Sequence, residues 1–365
     1  MDSAAAQCEG ASHVGAADSQ RVPHSRPTIA AVDIQAVGEI LASGRLADSA
    51  QVALFEDELA SYIGQTGGVA TNSGTNALHL ALLSLGRNGR DEVIVPSYAC
   101  TAILNAVEAA SLRPVIADIN GDDCNISRPA ARRALTDRTK AIVACHMFGD
   151  PIQDIGDLVG LGVPVIEDCA LSVGAEIGGR KVGSFADLSV FSFYATKMLA
   201  TGHGGMVLAR SESMLSTLRD LTQYDNRAEY RPSFNFRLTD FQAALGRSQL
   251  RRLDEFIAHR RRIAALYDER LNSARDMAVT ARSGESVYFR YLAQVEDADA
   301  WTRTMHRRGV DCQKPVYKPL HQYVGLDPRQ FPNAERAYKH NVSIPIYPAL
   351  SQEEVEHTIR VITEH

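Results

Sequence analysis

The chain has 365 residues, of which 45% are hydrophobic and 22% are charged, and its formal net charge is −6. This length allows about two domains, each with a buried core, and the mildly acidic charge disfavours a protein that wraps nucleic acid. The sequence shows no apolar run long enough to cross a membrane, no basic and apolar leader of the secretory type, and six cysteines without a C-x-x-C pair. We therefore expect a cytoplasmic protein with neither nucleic acid nor a membrane as partner.

The chain begins with a segment that has no apolar period. Residues 1–26 are rich in Ala, Ser and Gly, and we interpret them as a flexible tail. From Thr28 to Leu41 apolar residues recur at helical spacing, and a second helix is predicted through Phe55 and Tyr62.

Short apolar segments then alternate with helical stretches. The segments VIVP, VIAD, AIVAC, PVIED and SVFSF are strand-like and lie between Gly, Pro or Asp residues. This alternation predicts a doubly wound, mostly parallel sheet, and strands that are almost entirely apolar favour a sheet covered on both faces. We assign residues 27–250 to this large domain.

The pattern changes at Thr239, which forms a predicted capping box with Gln242. A long amphipathic helix is expected to follow as far as Leu266, with the basic run His259–Arg262 on its solvated face. Shorter strands and helices follow, so that residues 251–365 are predicted to form a smaller α+β domain.

Ser73, Gly74 and Thr75 follow a strand-like segment and precede a helix. Free backbone N–H groups and the positive end of the helix dipole would favour an anion there, and a glycine would let it approach closely. An ordinary Ser N-cap explains the same residues equally simply. Phosphate loops of the G-x-x-x-x-G-K-[ST] type, G-x-G-x-x-G, G-x-S-x-G and H-E-x-x-H motifs are absent from the sequence.

Two ionisable residues follow other predicted strands. Asp168 ends the strand PVIED, where a parallel sheet opens into its ligand crevice; it is either a functional carboxylate or a helix cap. Lys197 lies between an aromatic strand and a Gly-rich loop. Desolvation there would lower its pKa, as a Schiff-base nucleophile requires, although a surface lysine at a strand end is the alternative.

Together these three features match the needs of pyridoxal phosphate. That cofactor requires a lysine for its Schiff base, an acid that keeps the pyridine nitrogen protonated, and a site for its phosphate. Lys197, Asp168 and the turn at residues 73–75 offer one candidate for each.

Several longer segments, from about residue 27 to the C-terminus, resemble one enzyme family. SGTNALHLAL, VIEDCA, VFSFYATK, FNFRLTDFQAALG and PLH occur in the order found in the DegT/StrS nucleotide-sugar aminotransferases, which are fold-type I pyridoxal-phosphate enzymes. The resemblance implies a three-layer α/β/α large domain with a mostly parallel seven-stranded sheet, similar to aspartate aminotransferase, and a smaller C-terminal α+β domain.

The resemblance also implies roles for individual residues. Lys197 would hold the cofactor and shuttle protons, and Asp168 would pair with the pyridinium nitrogen. The phosphate would be held by Ser73, Gly74, Thr75 and Ser192, and by Asn235 from a neighbouring subunit, which implies a homodimer with shared active sites. The substrate end would be formed by Arg237, Tyr317, His321 and His203.

The sequence departs from the family pattern at three positions. Leu171 stands where the family has Gln or His three residues after the aspartate, and Cys100 stands where an aromatic ring often stacks on the cofactor. Tyr98 is the alternative source of that ring. His203 replaces a carboxylate within the segment Gly202–Gly205.

The predicted function is transfer of an amino group, from glutamate by resemblance, to a nucleotide-linked 4-keto-6-deoxyhexose. A 3-keto sugar or a keto-cyclitol is the alternative acceptor. A sugar dehydratase of the same fold would carry histidine in place of Lys197 and is disfavoured. A pyridoxal-phosphate-binding sensor or regulator without turnover is the alternative outside enzymology.

Overall fold

Strands and helices alternate through the first two thirds of the chain. The structure, a computed structural model, describes residues 21–86, 89–271, 276–280 and 282–364. The helices are α1 (Ala31–Ser43), α2 (Ala50–Ile63), α3 (Gly74–Ser84), α4 (Ala102–Ala109), α5 (Arg128–Ala134), α6 (Ile155–Val159), α7 (Glu212–Thr222), α8 (Asp240–Leu250), α9 (Leu253–Leu271), α10 (Ala298–Arg307), α11 (Leu320–Tyr323), α12 (Pro332–His340) and α13 (Gln352–Thr363). The strands are β1 (Gly67–Thr71), β2 (Glu92–Pro96), β3 (Arg113–Ala117), β4 (Thr139–Cys145), β5 (Val165–Asp168), β6 (Glu176–Ile177), β7 (Arg180–Lys181), β8 (Leu188–Ser192), β9 (Gly205–Ala209), β10 (Met277–Val279), β11 (Tyr291–Val295) and β12 (Asn341–Ile344).

Seven of these strands form one central sheet in the order β1-β9-β8-β5-β4-β2-β3. The pairs β2–β3, β2–β4, β4–β5 and β5–β8 are parallel, whereas β9 runs antiparallel to both of its neighbours. The carboxyl ends of the six other strands therefore lie along one edge of the sheet. This arrangement confirms the predicted mostly parallel sheet.

Helices cover both faces of the sheet. Successive strand side chains point to opposite faces, so that Val143 packs in a cluster with α3, α4 and α7, while Ile142 and Ala144 pack with α5 and α6. Part of the second face is covered by α2 and α8. The three layers predicted for the large domain are therefore present, because both faces of the strands are apolar.

A second, antiparallel sheet of three strands, β10-β11-β12, lies in the C-terminal part of the chain. Its core contains Tyr291, Trp301, Val342 and Ile359, which are all buried. The residues described contain no helix that is both long and apolar enough to span a membrane.

The segment before α1 departs from the predicted flexible tail. Residues 1–20 lie outside the described residues, but 21–26 pack against the C-terminal part of the chain. Val22 is buried and bridges to Val310, and the buried His24 ring lies 2.9 Å from the Ser343 hydroxyl. Burial of this valine fixes the segment to the C-terminal part of the chain. The polar sequence around Val22 does not predict this packing.

The predicted long helix is two helices. The capping box at Thr239 and Gln242 is present and begins α8, but α8 ends at Leu250. A short turn at Arg251–Arg252 precedes α9, and the predicted domain boundary after residue 250 falls in that turn. The basic run on α9 is also not wholly solvated, because Arg260 is buried.

Candidate active site

A cavity of about 440 Å³ opens at the carboxyl edge of the central sheet, the place where doubly wound proteins bind ligands. The loops that follow β1, β2, β4, β5 and β8 converge there, and the loop that precedes the antiparallel β9 returns to it. The cavity is lined by Ser73, Gly74, Thr75, Leu78, Ala99, Cys100, Ala102, Ile103, Cys145, His146, Met147, Asp168, Ala170, Leu171, Val190, Phe191, Ser192, Tyr194, Lys197, His203 and Gly204.

One end of the cavity is the start of α3. Ser73 is the N-cap, and its hydroxyl oxygen accepts a hydrogen bond from the backbone N–H of Asn76 at 3.1 Å. The next N–H groups, of Gly74 and Thr75, have no partner within the helix. A Cβ atom on Gly74 would lie 2.7 Å from the Cβ of Ser192, so a glycine is required for this helix start and β8 to come together. The geometry is therefore compatible with both interpretations of residues 73–75, as a helix N-cap and as an anion site.

Asp168, the last residue of β5, lies beside Cys145 of β4. One carboxylate oxygen accepts a hydrogen bond from the backbone N–H of Ala170 at 3.0 Å, and the other accepts one from the Cys145 thiol at 3.6 Å. The carboxylate thus caps the following turn and also faces the cavity, so that the two interpretations of Asp168 are compatible.

Glu167 faces away from the cavity because neighbouring strand residues alternate in direction. Its buried carboxylate accepts hydrogen bonds from the backbone N–H groups of Gly183, Phe185 and Ala186 at 2.7 Å each. Burial alone would raise its pKa, but these bonds and the neighbouring His146 ring leave the pKa of Glu167 below its ordinary value. Glu167 is a structural carboxylate.

His146, which follows β4, lines the cavity, and hydrogen bonds to both of its ring nitrogens fix the side chain. Its Nδ1 accepts the backbone N–H of Ile152 at 3.0 Å, so Nε2 carries a proton and donates to Glu167 at 3.0 Å. The sequence reasoning missed His146 and Cys145. The rule that identified Asp168, a polar residue at the end of an apolar strand, applies equally to both.

Lys197 approaches the cavity from the loop after β8. Its ammonium makes no hydrogen bond or ion pair with the residues that the structure describes, and it lies 5.4 Å from the centre of the Phe289 ring. Burial lowers the pKa of this amine below its ordinary value; the charge of Asp168 opposes that effect and the charge of Arg290 adds to it. The lysine is therefore more readily deprotonated than one in water, as a nucleophile should be.

The three residues that depart from the family pattern all line the cavity: Leu171, Cys100 and His203. The His203 ring contacts the edge of Tyr194, with ring centres 5.2 Å apart. Tyr98, the alternative source of a stacking ring, does not line the cavity. Its ring is fully buried and its hydroxyl donates to the carbonyl of Ala337 at 3.2 Å, because the turn after β2 directs it into the core.

His321 was expected at the substrate end but does not line the cavity. The buried imidazole lies between the Ser97 hydroxyl, at 2.6 Å, and the Glu335 carboxylate, at 2.8 Å, and it stacks on Phe331. It thereby ties α11 to the turn that carries Cys100, which is a structural position.

Arg237, Tyr317 and Asn235 also lie away from the cavity of their own chain. Arg237 pairs with Asp48, Tyr317 is 87% exposed, and Asn235 is exposed. Within one chain none of the three touches the space beside Lys197, so any role there belongs to an assembly.

Comparison with known proteins decides among the enzymes that such a site could serve. A model of the DegT/DnrJ/EryC1/StrS aminotransferase family matches residues 27–363. This chain belongs to that family. As a DegT-family aminotransferase it is a pyridoxal-phosphate-dependent transaminase, which confirms the predicted activity and cofactor.

Individual relatives agree with this assignment. The chain is 32% identical to a GDP-perosamine synthase of Caulobacter vibrioides, over 85% of this chain and 88% of the relative. It is also 32% identical to a dTDP-3-amino-3,4,6-trideoxy-alpha-D-glucose transaminase of Micromonospora megalomicea, over 91% and 94% of the two chains.

Solved structures show the same fold. The aminotransferase TlmJ of Streptoalloteichus hindustanus superposes with a TM-score of 0.87 at 31% identity, covering 94% of this chain and 98% of that one. The PLP form of a sugar aminotransferase, Spr1654 of Streptococcus pneumoniae, gives a TM-score of 0.87 at 25% identity, with coverages of 94% and 98%.

The cavity of this DegT-family chain fits pyridoxal phosphate by its own geometry. Its volume is in the range of small-molecule sites. The glycine cradle at Gly74, packed against Ser192, supplies hydroxyl and N–H donors at one end, while Asp168 and Lys197 face the same space. An anion site, an acid and an amine therefore surround one apolar-walled cavity.

Proposed function

We propose that this aminotransferase moves an amino group from glutamate to a nucleotide-linked 4-keto-6-deoxyhexose in the cytoplasm. The observation that carries this proposal is the convergence of Lys197, Asp168 and the Gly74 cradle on one cavity. The names of the two relatives above, one GDP-linked and one dTDP-linked, support a sugar nucleotide as acceptor.

Each residue has a task that follows from its position. When bound, pyridoxal phosphate supplies an electron-withdrawing ring that stabilises negative charge at the reacting carbon. The N–H groups of Gly74 and Thr75, with the Ser192 hydroxyl, would bind the phosphate. The Asp168 carboxylate would keep a proton on the ring nitrogen, and the Lys197 amine would hold the cofactor and then move protons at Nζ.

The departures from the family pattern define the walls of the site. Leu171 would offer no hydrogen bond to a bound cofactor, and Cys100 presents a small thiol in place of an aromatic ring. We therefore infer that the phosphate contacts and Asp168 dominate cofactor binding in this chain.

The active form in this proposal is a homodimer with shared sites. Helix α1 and its surroundings carry exposed apolar side chains, among them Val32 at 50%, Ile34 at 68% and Leu41 at 55% exposure. Exposed apolar side chains grouped on one helix are what a protein–protein interface would cover. Asn235 is exposed, as a residue that completes the phosphate site of a second copy would be.

A 3-keto sugar is the second candidate acceptor. The Micromonospora relative, whose name places the amino group at carbon 3, is as similar to this chain as the GDP-perosamine synthase is. A 3-keto sugar and a 4-keto sugar differ only in the position of the carbonyl beside the same cofactor.

The first prediction concerns Lys197. The purified protein with pyridoxal phosphate should show the absorption band of the lysine-linked cofactor, lose it with glutamate, and regain it with one member of a panel of nucleotide-linked 3-keto and 4-keto sugars. Lys197→Ala should abolish the band and lower turnover by about 10²–10⁴-fold or more, because the proton-transferring group is gone.

Lys181→Ala is the matched control, since Lys181 pairs with Glu176 on the short hairpin β6–β7, which does not line the cavity. It should retain the band and the turnover. A wild-type protein that never takes up the cofactor, or that keeps its band in excess glutamate, would contradict the proposal.

A further inference from the structure

A second, much smaller cavity of about 20 Å³ borders Lys197 on the side of the C-terminal part of the chain. Lys197 therefore lies between two cavities, the large one at the sheet edge and this one. The polar residues that line the small cavity are Ser25, Arg26, Thr28, Thr196, Lys197, Gln249, Arg260, Arg290 and Tyr347. Its volume matches one water molecule or one small anionic group.

Arg260 reaches this cavity from the buried side of α9. The side chain is 4% exposed, and its Nη1 donates to the carbonyl oxygens of Ile346 at 2.6 Å and Tyr288 at 3.2 Å. Its Nε is buried without a hydrogen-bond partner. A buried N–H donor of a charged group is costly to leave unpaired.

Arg290 lies beside it and carries a second positive charge. Its guanidinium lies over the Phe289 ring, 4.5 Å from the ring centre, and it makes no side-chain hydrogen bond or ion pair with the described part of the chain. Burial lowers the pKa of Arg290 to about 10, and burial together with the charge of Arg290 lowers the pKa of Arg260 to about 9.

The nearby carboxylates do not balance these charges. Asp168 acts on Lys197 from the large cavity, and Glu354 is already paired with Arg26 at 2.9 Å. Three arginines line the small cavity, and Arg26 is the one paired with Glu354. The other two guanidinium groups, of Arg260 and Arg290, have no acidic partner among the described residues, which is unfavourable unless an anion is bound there.

We propose that Arg260 and Arg290 bind a carboxylate of the amino-acid donor in the small cavity beside Lys197. A carboxylate has the charge, the size and the planar pair of acceptors that suit guanidinium groups. An α-amino acid carries its amine one carbon from its carboxylate, so a carboxylate held here brings the amine next to Lys197. This assignment rests on the proposed aminotransferase function.

The first test measures anion binding without turnover. Melting temperatures of the cofactor-free full chain are measured in sodium formate and in sodium chloride, with the ionic strength held by a bulky sulfonate buffer salt. Formate should stabilise the wild type in a saturable way. Arg290→Gln should lose this effect, Arg290→Lys should retain part of it, and Arg360→Gln, which removes an exposed arginine of α13, should retain all of it.

The second test uses the protein with its cofactor and follows the spectral change caused by glutamate. Arg290→Gln should raise the glutamate concentration for half conversion about tenfold or more, while Arg360→Gln should not change it. Formate should compete with glutamate in the wild type.

The outcomes separate the two proposals. If the wild type does not respond to glutamate while formate still binds through Arg290, the donor assignment and the proposed function fail but the anion site stands. Formate stabilisation that is equal in wild type and Arg290→Gln overturns the anion site. Stabilisation by chloride alone, with glutamate binding insensitive to Arg290→Gln, identifies a halide site and overturns the donor assignment.

Discussion

The absence of a Cβ atom at Gly74 sets the shape of the phosphate end of the cavity. A Cβ atom at residue 74 would lie 2.7 Å from the Cβ, 2.9 Å from the hydroxyl oxygen and 3.3 Å from the Cα of Ser192. Because one of these contacts is to backbone, the strand itself would have to move. Gly74 therefore allows the start of α3 and the end of β8 to face one ligand together.

The second prediction follows from this contact. Gly74→Ala should weaken the binding of pyridoxal phosphate about tenfold or more, because the cradle must open to relieve the clash. The dissociation constant is measured by titration of the cofactor-free protein, followed by absorbance.

Gly156→Ala, at an exposed position of α6, is the matched control, since a Cβ there would meet no atom within 4 Å. That variant should bind the cofactor like the wild type and be slightly more stable, since alanine favours a helix. Equal affinity in both variants would show that Gly74 does not shape the site.

Residue types in the sequence were enough to identify three parts of the site, whereas other residues of the site could not be identified in this way. Lys197, Asp168 and the turn at residue 73 could be identified because each follows a strand whose carboxyl end must lie at the same sheet edge. Arg290 could not, because it stands within a strand-like segment of the C-terminal part. Its position beside Lys197 depends on how that part packs on the sheet.

At the scale of elements, α2 and β1 are joined by an unusual carboxyl group. Glu56 of α2 accepts the backbone N–H of Ala70 in β1 at 2.7 Å. Burial raises the pKa of Glu56 from 4.5 to about 7, with smaller opposing effects from the Ala70 N–H and from Arg219. The folded protein thus favours the protonated form.

The third prediction is a pH dependence of stability. Because the pKa of Glu56 is higher in the folded than in the unfolded chain, its contribution is full below about pH 4.5 and is lost as the pH rises through about 7. Glu56→Gln keeps the acceptor oxygen and cannot ionise. Its melting temperature should therefore fall less than that of the wild type between these pH values, when both are followed by circular dichroism.

Glu269→Gln, at an exposed position of α9, serves as the comparison and should follow the wild-type curve. If Glu56→Gln followed the same curve, ionisation of Glu56 would not control stability in this range.

The type and approximate place of most elements were predictable, whereas their arrangement was not. Apolar runs marked β4, β5 and β8 because strands covered on both faces must be apolar throughout. The reversed direction of β9 and the order of the strands leave no local signal. The break between α8 and α9 falls at two arginines. Because arginine favours helices, helix propensity does not predict this break.

At the scale of the whole molecule, α1 carries exposed apolar side chains that the proposed homodimer would cover. Ile34 and Leu41 are more than half exposed on this helix. In the proposed homodimer this face would be covered by the second copy, and each chain would supply Asn235 to the other.

The fourth prediction tests this assembly. Ile34→Asp should shift the protein from dimer to monomer in sedimentation velocity, because a charge would be buried at the interface. It should also weaken cofactor binding about tenfold or more, since Asn235 of the second copy would be lost from the phosphate site.

Val159→Asp introduces the same charge at an exposed residue of α6, elsewhere on the surface, and should leave both properties unchanged. A monomeric wild-type protein with full cofactor affinity would contradict the shared site.

The antiparallel course of β9 has a consequence for how Lys197 can move. The loop that carries the lysine leaves the sheet at β8 and returns to its neighbour β9, and hydrogen bonds from Phe193 to Gly204 and from Ala195 to Gly202 close its base. Both ends of the loop that carries the lysine are therefore fixed within the sheet. Opening this loop requires the separation of β8 and β9, so its amide hydrogens should exchange with solvent as slowly as those of the core.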